Sequence, residues 1–95
     1  MRSRDEIKGV VFRHIRMNLS DMDDVAIDPS QSLVQYGASS LDLIEIVSAS
    51  LRELSMRIPR TEFADLRTID DFIELMWQYE QRGAPRAEAT PEPGA

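Results

Sequence analysis

A chain of 95 residues has room for one small domain and not for a large enzyme with a deep core. It contains no Cys, so disulfide staples, thiolate zinc sites and a cysteine nucleophile are ruled out. Its formal net charge of −6 disfavours nucleic acid and anionic membranes, both of which attract basic surfaces, and favours a basic protein partner instead.

No apolar run approaches membrane-spanning length and the N-terminus lacks the apolar core of a signal peptide, so the cytoplasm is the expected location. Residues 3–18 read as the first helix. Ser3 can cap it with Glu6 at the third helical position, and Ile7, Val10, Val11 and Ile15 recur at helical spacing. His14, the one histidine, lies beside that stripe; with no second ligand of its kind it reads as a boundary residue of the helix.

From Leu19 to Ala38 runs a long connection, and a loop of that length in a small domain has to be functional or pinned. Val25, Ile27, Leu33 and Tyr36 are spaced to pin it, and a short helical turn is expected around Asp21 to Asp24. The acids Asp21, Asp23, Asp24 and Asp28 invite a calcium reading. Counted from Asp21, however, the EF-hand glycine and bidentate Glu positions hold Ala26 and Ser32, so a solvated acidic turn is expected and no metal site is assigned.

Tyr36-Gly37-Ala38-Ser39-Ser40-Leu41-Asp42 is a glycine turn that runs straight into a patterned helix. Ser39 with Asp42 three positions on has capping-box spacing, although Asp is shorter than the usual Glu or Gln. Ser40 is then the first helical residue, its hydroxyl directed outward beside unpaired N–H groups and the positive end of the helix dipole. Helix two should run from about Ser40 to Leu54. Val47, Leu51 and Leu54 with Leu43 or Ile46 form one stripe; Leu41, Ile44 and Ser48 lie on another, which the residues alone leave open between core and surface.

Arg57-Ile58-Pro59 ends that segment in extended chain, with Ile58 toward the core. Thr61 to Leu66 reads as a short third helix with Phe63 and Leu66 facing inward, dependent on tertiary contacts for its persistence. Thr68 caps the last helix with Asp71 at its third position, and Ile69, Phe72, Ile73 and Met76 carry its buried stripe, Trp77 and Tyr79 being packing or boundary groups. After Arg82 the chain turns to Pro, Ala and Glu with almost no apolar bulk. Residues 1–82 are therefore expected to form the domain and 83–95 a disordered tail or linker.

Charge is unevenly spread. Residues 1–16 carry five basic and two acidic side chains, an excess of three positive; residues 17–59 carry seven acidic and two basic, an excess of five negative. The acidic side is the one that bears Ser40, which suits steering of a basic docking surface. Catalysis by the chain itself is not expected: the nucleophile elbow Gly-x-Ser-x-Gly fails at Leu41, and no phosphate-cradling glycine loop is present.

Gly37-Ala38-Ser39-Ser40-Leu41-Asp42, followed by Ile44-Glu45-Ile46-Val47, resembles the attachment motif of acyl carrier proteins, and the resemblance continues through Ile58-Pro59 to Thr68-Ile69 and into the last helix. It implies an all-α fold, an antiparallel bundle of three long helices and one short one with a long first loop. It also implies that Ser40 carries 4′-phosphopantetheine, attached from coenzyme A by a phosphopantetheinyl transferase, whose thiol holds acyl groups as thioesters. By the same resemblance, Leu41, Asp42, Ile44 and Glu45 would meet a ketosynthase, acyltransferase or other acyl-processing enzyme, and the protein would be a monomeric carrier rather than an enzyme. Ser39 stands where the family usually has Asp, Ser48 where it often has a larger apolar group and Arg52 where it often has an acid. These departures lean toward polyketide or related secondary-metabolite biosynthesis over housekeeping fatty-acid biosynthesis. A peptidyl carrier is the nearest alternative, although its common Gly-Gly-x-Ser form is absent, Tyr36 standing at the first glycine. The alternative from another class is a small helical protein-interaction module in which Ser40 is only a cap.

Overall fold

Three capping boxes start three helices. In the computed structural model, which describes residues 2–19, 22 and 24–82, α1 spans Arg4–Asn18, α2 Ser40–Leu54 and α3 Ile69–Gln81. Each begins with a Ser or Thr whose oxygen accepts from the third helical N–H while the side chain there accepts from the cap N–H. The pairs are Ser3 with Glu6, Ser39 with Asp42, and Thr68 with Asp71. The expectation for all three holds because both members lie within four residues and need no distant contact to find each other. Asp71 also accepts from the N–H of Arg67, and these backbone donors hold its carboxyl below the usual carboxylate range.

Helix α1 packs against both α2 and α3. The seam is made by Ile7, Val11 and Ile15 of α1, Ile46 and Leu54 of α2, and Ile69, Ile73 and Met76 of α3, none more than 2 % exposed. Burying each such side chain contributes roughly 1.5–3 kcal/mol, which sets the register of the bundle. Arg4 reaches Asp70 and Glu74 while Arg2 reaches Glu80, so ion pairs fasten the N-terminal end of α1 to α3. The fold read from the sequence, an all-α bundle of three long helices with a long first loop, is the one observed.

That loop is tied down at several points. Ile27 and Leu33 are buried, and Val25 and Tyr36 pack partly buried against the core, as their spacing predicts. Arg16 donates to the carbonyls of Met22 at 2.6 Å and Val25 at 3.0 Å. The Tyr36 hydroxyl accepts from the N–H of Asp28 at 2.7 Å. The carbonyls of Gln31 and Pro29 accept from the N–H groups of Ile69 and Asp70, so the loop supplies partners for donors that the start of α3 cannot satisfy itself. Of the helical turn expected around Asp21 to Asp24, Asp24 lies in a turn, while Asp21 and Asp23 fall outside the described residues, as does the expected tail 83–95.

The short third helix is a 3-10 turn, Arg60–Phe63, shorter than the predicted Thr61–Leu66. Pro59 fixes the entry and the hydrogen bonds run from Glu62 to Pro59, Ala64 to Thr61 and Leu66 to Phe63, three residues apart, so no α-helical turn closes. Phe63 and Leu66 still turn inward, half-buried, with the Phe63 ring centroid 5.9 Å from that of Phe72. Two further features lie on α2. Ser50, fully buried at one turn from both Ile46 and Leu54, has a hydroxyl without a hydrogen-bond partner among the described residues, a desolvation cost of roughly 1–3 kcal/mol. Ser55 closes the helix in the left-handed conformation at φ 57°, and the N–H of Met56 returns to Leu51 at 2.9 Å.

An ionic cluster ties α1 to α2. Glu53 accepts from both Arg13 nitrogens and lies 2.8 Å from Nε2 of His14, whose side chain is 12 % exposed. These hydrogen bonds, from Arg13 first and His14 second, hold the Glu53 carboxyl down at about 2, against an ordinary 4.5. A depressed carboxylate contributes stability that is present above its unfolded value and lost as pH falls toward its folded one. The melting temperature should therefore fall between about pH 4.5 and 2. Glu53→Gln should flatten that limb relative to wild type in melts followed by circular dichroism; an unchanged acid limb would remove Glu53 from the account.

Candidate functional site

The backbone narrows before α2 in three steps. A 3-10 turn, Leu33–Tyr36, anchors one end through buried Leu33. Gly37 then takes φ 94°, and its N–H donates to Val34 at 2.9 Å while that of Ala38 donates to Leu33 at 3.2 Å. Space around Gly37 is open, so glycine is required for the backbone angle and not for clearance. Buried Ala38 follows, and Ser39 caps the helix.

With Ser39 as the cap, Ser40 occupies the first helical position and is exposed. Ser39 Oγ accepts from the Asp42 N–H at 3.1 Å and Asp42 Oδ2 accepts from the Ser39 N–H at 2.9 Å, so the shorter Asp closes the box completely. The Ser40 hydroxyl takes no part in it. The N–H groups of Ser40 and Leu41 lie in the first turn, where an α-helix provides no partner, and add to the positive end of the helix dipole. An anion attached to Ser40 Oγ is favoured there. Asp42, by contrast, is half-buried and one of its oxygens is committed to the cap.

Leu41 and Ile44, which the residues alone left between core and surface, are 73 % and 42 % exposed. Glu45 and Ser48 share that face and are exposed. The other stripe of α2 faces the protein, and between it and the end of the Arg60–Phe63 turn lies an apolar groove of about 490 Å³. Leu43, Val47 and Leu51 line one wall together with Ile44 and Ser48 at the border of the exposed face, Ile58, Phe63 and Phe72 contribute the other, and Ser40 also lines it. The volume is that of a pocket for a small organic group. Phe63 and Phe72 face inward as their spacing predicts, and where they meet α2 they leave this opening. Val34, 64 % exposed in the turn before Gly37, carries no periodic signal as an isolated apolar loop residue.

An exposed serine at the helix mouth thus stands beside an apolar groove and an exposed apolar pair, Leu41 and Ile44. The family model for the phosphopantetheine attachment site matches residues 15–76. The chain belongs to that family, the acyl carrier proteins, whose members bear phosphopantetheine and act as carriers rather than catalysts. It is 31 % identical over 74 residues to the polyketide biosynthesis acyl-carrier-protein AcpK of Bacillus subtilis, covering 78 % of this chain and 90 % of the relative. An acyl carrier protein of Clostridium perfringens is 26 % identical over 78 residues, covering 82 % of this chain and 97 % of that one. Among solved structures, the crystal structure of the curacin biosynthetic pathway HMG synthase in complex with its acetyl donor carrier matches at a TM-score of 0.75 and 25 % identity. The match covers 81 % of this chain and 99 % of that one.

The cap and the candidate anchor are separable. Ser39→Ala should cost about 1 kcal/mol of stability through the lost cap, whereas Ser40→Ala should stay within about 0.5 kcal/mol, as surface changes outside such features do. Urea unfolding compares them, and equal losses would contradict the division of labour between the two serines.

Proposed function

We propose that Ser40 carries the 4′-phosphopantetheine arm and that the chain presents acyl groups to enzymes of a polyketide or related secondary-metabolite pathway. The observation that carries the reading is the exposed Ser40 hydroxyl, kept clear of the capping bonds by its neighbour Ser39. When bound, the arm supplies a terminal thiol that holds acyl groups as thioesters. Everything else is contributed by the chain. Ser40 provides the oxygen, the first turn of α2 favours the phosphodiester's negative charge, and the apolar groove beginning at Ser40 offers cover to an apolar acyl group. Tethering keeps the cargo at high effective concentration near each enzyme that docks.

A phosphopantetheinyl transferase is the first partner in this reading, and acyl-processing enzymes that meet Leu41, Ile44 and Glu45 are the later ones. Asp42 contributes its remaining oxygen while its other one holds the cap. A polyketide setting is supported by the relative from Bacillus subtilis, and an HMG synthase as one acyl-processing partner is supported by the solved complex of a similar carrier. The chain acts as a monomer in the cytoplasm on this account; among the described residues no helix is long and apolar enough to cross a membrane.

Incubation of the purified chain with coenzyme A and a broad-range transferase should add one phosphopantetheine by intact-mass spectrometry, with no adduct on Ser40→Ala. An unmodified wild type would favour the helical interaction module, in which Ser40 is only the start of a helix.

A further inference from the structure

Ser50 is the one buried polar residue among the described residues, and its hydroxyl has no hydrogen-bond partner there. A serine inside a helix commonly turns its hydroxyl back to the carbonyl four residues earlier, here that of Ile46, and this one makes no such bond. A buried donor left unpaired costs the fold its full desolvation, whereas an apolar group of similar size would not. Alanine would therefore suit the empty domain better than the serine that stands there.

The position of Ser50 on α2 places that donor behind the groove. It stands seven residues beyond Leu43 and three beyond Val47, and both of these line the groove together with Ser40 and Leu51. At about 100° per residue, Ser50 lies ~20° around the helix from Leu43 and ~60° from Val47, on the core side of both. At 1.5 Å per residue it is ~15 Å from Ser40 along the axis, within the ~16 Å that separates Ser40 from Leu51. Leu43 and Val47, which flank it, are only partly buried and can turn to open the groove inward. Across the groove the side chains of Ile58, Phe63 and Phe72 are apolar, so none of them can pair with the hydroxyl.

We propose that the groove takes an acyl group bearing a keto or hydroxyl oxygen along its chain, and that Ser50 Oγ donates to that oxygen once the group is seated. This rests on the reading of Ser40 as the anchor and of the groove as cover for its cargo. Ser50 is then a specificity-determining residue. A plain alkyl chain leaves its donor unpaired, while an oxygenated chain supplies the missing acceptor.

The test loads the chain on Ser40 with octanoyl, β-hydroxyoctanoyl or δ-ketooctanoyl pantetheine and follows release of the acyl group by hydroxylamine in intact-mass spectra. Each rate is divided by that of the same acyl group on free pantetheine, which cancels differences in intrinsic reactivity. At least one oxygenated cargo should be released about fivefold more slowly than octanoyl, the gain from one buried hydrogen bond. Ser50→Ala should abolish that difference and leave octanoyl within about twofold, whereas Ser48→Ala, which removes a hydroxyl from the groove's outer border, should preserve it. In the unloaded chain, Ser50→Ala should unfold at no lower urea than wild type, because it leaves no donor unpaired. Equal protection of all three cargoes, discrimination that survives Ser50→Ala or is lost in Ser48→Ala, or an unloaded Ser50→Ala that unfolds at distinctly lower urea would each overturn the proposal. Failure of Ser40 to load at all would instead sink the carrier reading, and this proposal with it.

Discussion

The bond from the Asp42 N–H to Ser39 Oγ decides where α2 begins, and the site depends on that one choice of start. A helix turns by about 100° per residue, so burial of Ile46, Ser50 and Leu54 fixes which way every other side chain of α2 points, and the cap decides which residue comes first. With Ser39 as cap, Ser40 falls at the exposed first position, Leu41 and Ile44 face solvent, and Ile46, Ser50 and Leu54 face the core. Gly37 supports this arrangement by turning the chain at φ 94° between buried Leu33 and buried Ala38, so that the helix mouth is held from both sides.

The long first loop extends the same constraint to the rest of the domain. It is fastened to α1 through Arg16, closed on itself through Tyr36 and Asp28, and joined to α3 through the carbonyls of Pro29 and Gln31. Hydrogen bonds from Ser30 hold the Asp28 carboxyl below the usual carboxylate range and brace that turn. The segment that leads into Ser40 is therefore part of the scaffold, although it contains little regular structure. On the reading of Ser40 as the anchor, such fastening holds the anchor in place while the tether swings.

The parts legible in the sequence were those set by local chemistry. All three capping boxes and the α2 boundaries could be read because each rests on side chains three residues apart and on helical periodicity. The exposure of Leu41 and Ile44 could not, because two apolar stripes on one helix look alike until the bundle chooses which to bury. Ser50 did leave a signal, since it stands one turn from both Ile46 and Leu54 on the inward stripe. The groove depends on how Phe63 and Phe72 meet α2 across the fold, and the loop carbonyls that serve α3 carry no side-chain signature at all. Four residues of 3-10 turn took the place of a predicted helix because nothing in so short a stretch offsets the cost of nucleating an α-helical turn.

Two serines stand side by side at the mouth of α2, and the account gives them different work: the first holds the helix, the second bears the arm. Peptide fragmentation of the loaded chain by tandem mass spectrometry, with cleavage between the two residues, tests that division directly. Fragments that carry the phosphopantetheine mass on Ser40 and leave Ser39 bare are the expected result. An adduct on Ser39, or on a residue outside the start of α2, would contradict it.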